Sequence, residues 1–109
     1  MDSIYLIITT MPTHEQALSL SEELVKRDLA ACVQIQAPCN SIYKWKDALE
    51  TTVEYPLHIK TSSKQKLAVQ QLITNTHPYE VPEIITIELS DVNQNYADWV
   101  ACQTSEGRA

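Results

Sequence analysis

Glycine is almost missing from this chain: the single one is Gly107. That scarcity removes the Gly-rich dinucleotide fingerprint and the phosphate-cradling P-loop, which need glycine where the backbone closes on phosphate. Basic residues are also short, with 8 Lys+Arg against 14 Asp+Glu and a net charge of −6. Nucleic acid and anionic membranes both select positive charge, so neither is an expected partner. No basic residue precedes Lys26, and Asp2 stands where an export signal would carry Lys or Arg. The first apolar run, residues 4–8, is far shorter than the about 20 residues that span a bilayer. A cytoplasmic protein with no membrane contact is the expectation. Cys32, Cys39 and Cys102 are odd in number and form no CxxC pair. They are expected to be reduced thiols packed as small hydrophobes rather than a disulfide framework. No nucleophile-elbow motif surrounds a serine, and no nucleophile stands at a readable spacing from a base, so an enzyme is not expected.

What is present is a core. At 109 residues and 44% hydrophobic, the chain fits one domain, residues 1–103, with a flexible tail at 104–109. Residues 3–10 form a β-branched, apolar strand ended by Met11-Pro12. Thr13 with Gln16 makes a capping box, and Ala17, Leu20, Leu24 and Val25 recur at helical spacing behind it. Residues 31–46 suggest a long strand with a bulge near Pro38, since proline donates nothing to a ladder. Asp47, Ala48, Leu49 and Glu50 suit a hairpin connection. Val53, Tyr55, Leu57 and Ile59 then alternate with polar partners as a half-buried strand does. Ser62 with Gln65 repeats the capping box before a helix carrying Leu67, Leu72 and Ile73, which His77-Pro78 stops. A fourth strand covers residues 84–89, and residues 95–102 suggest a short helix with Tyr96, Trp99 and Val100 on one face. The order βαββαβ plus a terminal helix predicts an α+β fold, a ferredoxin-like antiparallel sheet with helices on one face.

The hairpin is too long for its domain. Residues 31–46 would extend about 50 Å at about 3.3 Å each, against a diameter of roughly 34 Å for a compact chain of this length. Its outer part carries Ile42, Tyr43, Trp45 and Leu49. Such side chains should not share one patch in water, so a second subunit is expected to cover them.

Five stretches, in this order and spacing, resemble one family. They are LAACV at 29–33, SIYKW at 41–45, IKT at 59–61, HPYEVPEI at 77–84 and NYADW at 95–99. Together they resemble the CutA family of divalent-cation tolerance proteins along nearly the whole chain. The resemblance implies a cytoplasmic, PII-like homotrimer, not an enzyme, with a role in tolerance of copper and other divalent metals. Many members have Gly where Asp47 and Val92 stand here. Asp47 is expected to take the left-handed turn, and Asn93 to replace Val92 at positive φ. Some bacterial members bind copper through a Cys near the end of the first strand and a His beside HPY. Thr9 and Thr76 occupy those positions here, so copper affinity is expected to be lower.

Candidate site residues follow. His77 at a helix end is the candidate ligand for Cu²⁺ or another divalent cation, with capping of helix carbonyls as its structural alternative. His14 and His58 lack local ligand spacing. Cys32 and Cys39 would face opposite ways on an unbroken strand, and a bulge would restore one face for a soft metal. Lys60, Tyr79 and Glu83 are candidate lining for an inter-subunit pocket, or else salt-bridging strand ends. With His77 that pocket would hold an anionic metabolite, as a PII-like signalling module would. Ile42, Tyr43, Trp45 and Trp99 are the expected trimer interface. No cofactor is obligatory.

Overall fold

The computed structural model describes residues 3–105. Its order is β1 (Ile4–Met11), α1 (His14–Lys26), β2 (Cys32–Ile35), β3 (Cys39–Trp45), β4 (Ala48–Ser62), α2 (Lys66–Thr76), β5 (Ile85–Glu88) and α3 (Gln94–Gln103). The fold is α+β: an antiparallel sheet in the order β2-β4-β1-β5, with β3 continuing beside β4, and three helices.

Thr13 caps α1 as its sequence predicts: its hydroxyl oxygen accepts the Gln16 N–H at 3.1 Å, and the hydroxyl donates to Gln16 Oε1 at 2.9 Å. With no glycine available, the helix ends on Asp28 at φ 58, and Leu29 N–H returns to the Leu24 carbonyl at 3.0 Å. Ala17, Leu20 and Leu24 are buried with Ile7, Leu57, Ile59, Val69 and Ile73, the core between the sheet and α1 and α2. Val25 lies outside it, because the 3.6-residue period carries it off the stripe; Ser21 takes the buried place.

The second capping box does not form. Gln65 is the N-cap of α2 and makes no side-chain cap bond. Ser62 instead pairs its hydroxyl with Thr104 at 2.7 Å. Leu67 is exposed and Val69 takes the core position, since α2 starts at Lys66 and its buried stripe runs through Val69 and Ile73. The helices also divide. α1 and α2 share one core, whereas Val100 of α3 packs with Ile4 and Ala31 in a second cluster. Ile4 alternates away from Tyr5 and Ile7, so α3 crosses the end of the opposite sheet face. Between α3 and the hairpin that face carries Leu6, Ile8, Ile85 and Ile87, paired Leu6↔Ile87 and Ile8↔Ile85.

The break near Pro38 is a bulge rather than a fold-back. Ile35 faces Leu57, Gln36 N–H bonds Pro56, and pairing resumes at Cys39↔Glu54. Residues 36–38 therefore oppose residues 55 and 56, while β4 runs on unbroken. The tip is tighter than the four-residue connection expected. Trp45 pairs Ala48, leaving Lys46 and Asp47 at φ 51 and 66. That is the left-handed pair a type I′ turn needs, and it matches the strands' twist. Asp47 takes the geometry expected of it. Asn93 does not: it caps α3 at φ −59, and Val92 packs against the second core instead. The long axis measures 45 Å against 27 and 22 Å for the others, so the hairpin does project.

Thr104, placed in the tail by its sequence, is fully buried. It bonds Ser62 and the Val100 carbonyl, and its own carbonyl accepts Gln65 Nε2 at 3.2 Å. Residues 106–109 of the expected tail lie outside the described residues. Thr104→Val should lower the unfolding free energy by about 1–2 kcal/mol in urea titration, because Ser62 loses its buried partner.

Candidate functional site

Register sorts the hairpin side chains onto two faces. Directly opposed residues share a face, so Ser41↔Thr52, Tyr43↔Glu50 and Cys39↔Glu54 lie on one side. Asn40↔Val53, Ile42↔Thr51 and Lys44↔Leu49 lie on the other. The patch expected of Ile42, Tyr43, Trp45 and Leu49 is thus two surfaces. Ile42, Leu49 and Val53 form an outer apolar face at 68%, 73% and 54% exposure. Tyr43 and Trp45 turn toward a cleft.

That cleft lies between the hairpin and the segment after α2. Its volume is about 910 Å³, and Thr10, Tyr43, Trp45, Glu50, Glu54, Tyr79 and Glu83 line it together with Ser41, Ile42, Lys46, Pro78, Glu80 and Val81. Four glutamates face one lysine, so the electrostatic field favours cations and opposes the anionic metabolite. Of the predicted pocket residues, Tyr79 and Glu83 are brought together here. Lys60 is not: it pairs with Leu6 and Cys32 across the sheet, and its ammonium donates to Gln34 Oε1.

Glu54 organises the cleft, and sequence reasoning missed it. It is 7% exposed, and its carboxylate accepts the Thr10 hydroxyl at 3.1 Å and the Tyr79 hydroxyl. Burial pushes the Tyr79 hydroxyl from 10.0 up to about 12, helped by the bond it donates to Glu54 and by the charges of Glu54 and Tyr43. Nothing in the alternation of β4 distinguished Glu54 from its solvated neighbours; the cover comes from a segment 25 positions further on (79 − 54).

His77 fixes that segment. The Tyr79 N–H donates to its Nδ1 at 3.1 Å, so Nδ1 bears the lone pair. Nε2 then carries the proton and donates to the Thr10 carbonyl at 2.7 Å. The imidazole stands 4.8 Å from the Tyr79 ring. Both nitrogens serve the fold, and a metal at Nδ1 would displace the Tyr79 N–H. Among the described residues no three His, Cys, Asp or Glu side chains gather into a metal-binding group. The bulge does return Cys32 and Cys39 to one face, opposite Lys60 and Glu54. Those positions are about 20 Å apart along β4 at about 3.4 Å per residue, so the two thiols cannot share a metal. Thr9 is buried with an unpartnered hydroxyl, Thr76 bonds the Leu72 carbonyl, and Trp99 lies half exposed against Tyr96. Trp99 is remote from the cleft, on α3.

The likeness to known proteins covers nearly the whole chain. The family model described as CutA1 divalent ion tolerance protein matches residues 5–103. A probable divalent-cation tolerance protein cutA homolog of Encephalitozoon cuniculi is 41% identical, aligned over 96% of this chain and 92% of its own. The divalent-cation tolerance protein CutA of Thermus thermophilus is 33% identical over 86% and 91% of the two chains. The crystal structure of CutA1 from Ehrlichia chaffeensis superposes with a TM-score of 0.92 at 33% identity, covering 97% of this chain and 99% of that one.

Because Tyr79 titrates above its unfolded value, its stabilisation is complete below pH 10 and is lost as pH rises from about 10 to about 12. Tyr79→Phe should remove that pH dependence and cost about 1–3 kcal/mol at neutral pH, read by denaturant titration, since buried Glu54 loses a donor.

Proposed function

We propose that this chain, which belongs to the CutA1 divalent ion tolerance family, is a non-enzymatic homotrimer acting in the tolerance of copper and other divalent cations in the cytoplasm. The observation that carries the assembly is the uncovered apolar surface. Ile42, Leu49 and Val53 face outward on a hairpin that projects along a 45 Å axis. Ile85 and Ile87 stand exposed on the sheet face that α1 and α2 leave open. A monomer would keep both surfaces in water, at about 25 cal/mol per Å² left unburied. In a trimer the hairpin of one subunit covers the next, and Trp99 on α3 adjoins the open face. The strand order β2-β4-β1-β5 supports a ferredoxin-like subunit, the form a PII-like assembly would use. Among the described residues no helix is long and apolar enough to cross a membrane.

Metal binding in this reading is weak. His77 supplies the imidazole only by surrendering its bond from the Tyr79 N–H, and among the described residues it belongs to no group of three His, Cys, Asp or Glu side chains. Copies from neighbouring subunits would complete the shell. A second reading, a small-molecule module using a pocket between subunits, is supported by the cleft beside the hairpin.

Sedimentation equilibrium should give a trimer with an obligate-type interface above about 2,000 Å² in total. Ile42→Asp with Leu49→Asp should dissociate it; a trimer in that variant would refute the hairpin's role. Calorimetric titration with Cu²⁺ should show weak binding that His77→Ala abolishes. Equal affinity in both proteins would remove His77 from the site.

A further inference from the structure

The hairpin cleft is larger than any ion requires and is built unlike an ion cage. At about 910 Å³, it lies near the top of the roughly 300–1,000 Å³ range of small-molecule sites. Its carboxylates line the walls without converging on one point. Glu54 is more than nine-tenths buried, and both groups that donate to it are neutral hydroxyls. Among the described residues the sole ion pair is Arg27–Glu23, on α1, so none of them gives Glu54 a counter-charge. A buried carboxylate is stable when a cation meets it. The aromatic faces of Tyr43 and Trp45 share the side of the hairpin on which Glu54 lies, and Glu83 adds a second charge on the opposite wall.

We propose that this cleft binds an organic cation, an ammonium group on an apolar body, with Glu54 as its counter-charge and Tyr43 and Trp45 as its aromatic walls. A hydrated divalent ion gains nothing from aromatic walls, whereas an alkyl or aryl ammonium uses both the ring faces and the carboxylate. The ammonium sits between Glu54 and Glu83, and the apolar body lies along Tyr43 and Trp45. Tyr79 donates its hydroxyl to Glu54, and its own proton is retained because burial opposes a phenolate. Lys46, the one base in the lining, lies at the hairpin tip, so the inner end stays acidic. This names a ligand class for the small-molecule reading of the same cleft and rests on that reading.

The test is calorimetric titration of the full chain with phenethylamine, and with phenylacetate as the matched anion. Phenethylamine should bind saturably at one site per chain, and phenylacetate should not bind. Glu54→Gln keeps the shape and an acceptor but removes the charge, and should weaken binding by about tenfold or more. Trp45→Leu should weaken it by about two- to thirtyfold. Glu22→Gln, on the exposed side of α1, should leave it unchanged. Should Glu54→Gln not fold, by circular dichroism, Glu83→Gln carries the same expectation at about threefold or more. Absence of saturable phenethylamine binding, or equal affinity in wild type and the glutamate variant, overturns the proposal. A cleft filled by a neighbouring subunit would give the first of those results.

Discussion

The unbroken strand β4 is the constraint on which the rest of the molecule depends. From Ser62 back to Tyr55 it pairs with β1; over Leu57 to Lys60 it also pairs with β2, and beyond Glu54 with β3. One strand therefore belongs to the packed domain at one end and to the projecting hairpin at the other. Its inner half is anchored by Leu57 and Ile59, both fully buried under α1 and α2. The outer half has no helix above it. A strand has fixed alternation, so the face that is core at Leu57 becomes a solvent-facing apolar surface at Val53. The exposed hairpin face follows from the helices being shorter than the strand they cover.

The same continuity makes the cleft. The bulge at residues 36–38 lets β3 resume beside β4 in a register that sets Tyr43 opposite Glu50 and Cys39 opposite Glu54. The chain leaving α2 must then return to the sheet at β5, and it passes over Glu54 on the way. His77 holds that passage against the Thr10 carbonyl with one nitrogen and against the Tyr79 backbone with the other. Tyr79 is thereby delivered to Glu54. A histidine whose type and position suggest a ligand is, in this geometry, a bracket between two backbone segments. Local polar groups satisfied in this way leave few lone pairs to offer a metal.

Where local pattern and final structure part, the cause is geometric. Residues 62–65 carry the letters of a capping box, yet Ser62 is drawn away by Thr104, at the end of α3. A partner distant in sequence outbids a local one because burial makes its hydrogen bond worth more. Leu67 and Val25 are apolar and helical but sit outside the stripes, since the phase of a helix relative to its sheet depends on where the helix starts. Scarce glycine was replaced where the backbone required left-handed geometry by Asp28, Lys46 and Asp47. Asn93 was not needed for that purpose, because the turn before α3 is made with φ negative.

The sequence alone determined the order and kind of the elements, the α1 cap at Thr13, the bulge at Pro38 and the family blocks. Each is a local matter, settled by side-chain period, by an absent N–H or by a short motif. Its reach also foretold a hairpin longer than its domain, because residue count bounds length. The split of Ile42 from Tyr43 and Trp45, the removal of Lys60 from the cleft and the burial of Glu54 were decided only by the tertiary structure. Those outcomes turn on which strands pair, in what register, and on what segment crosses above them. Alternation in a strand says that two faces differ; only the packing of the whole chain says which face meets solvent and which carboxylate is sealed beneath a tyrosine.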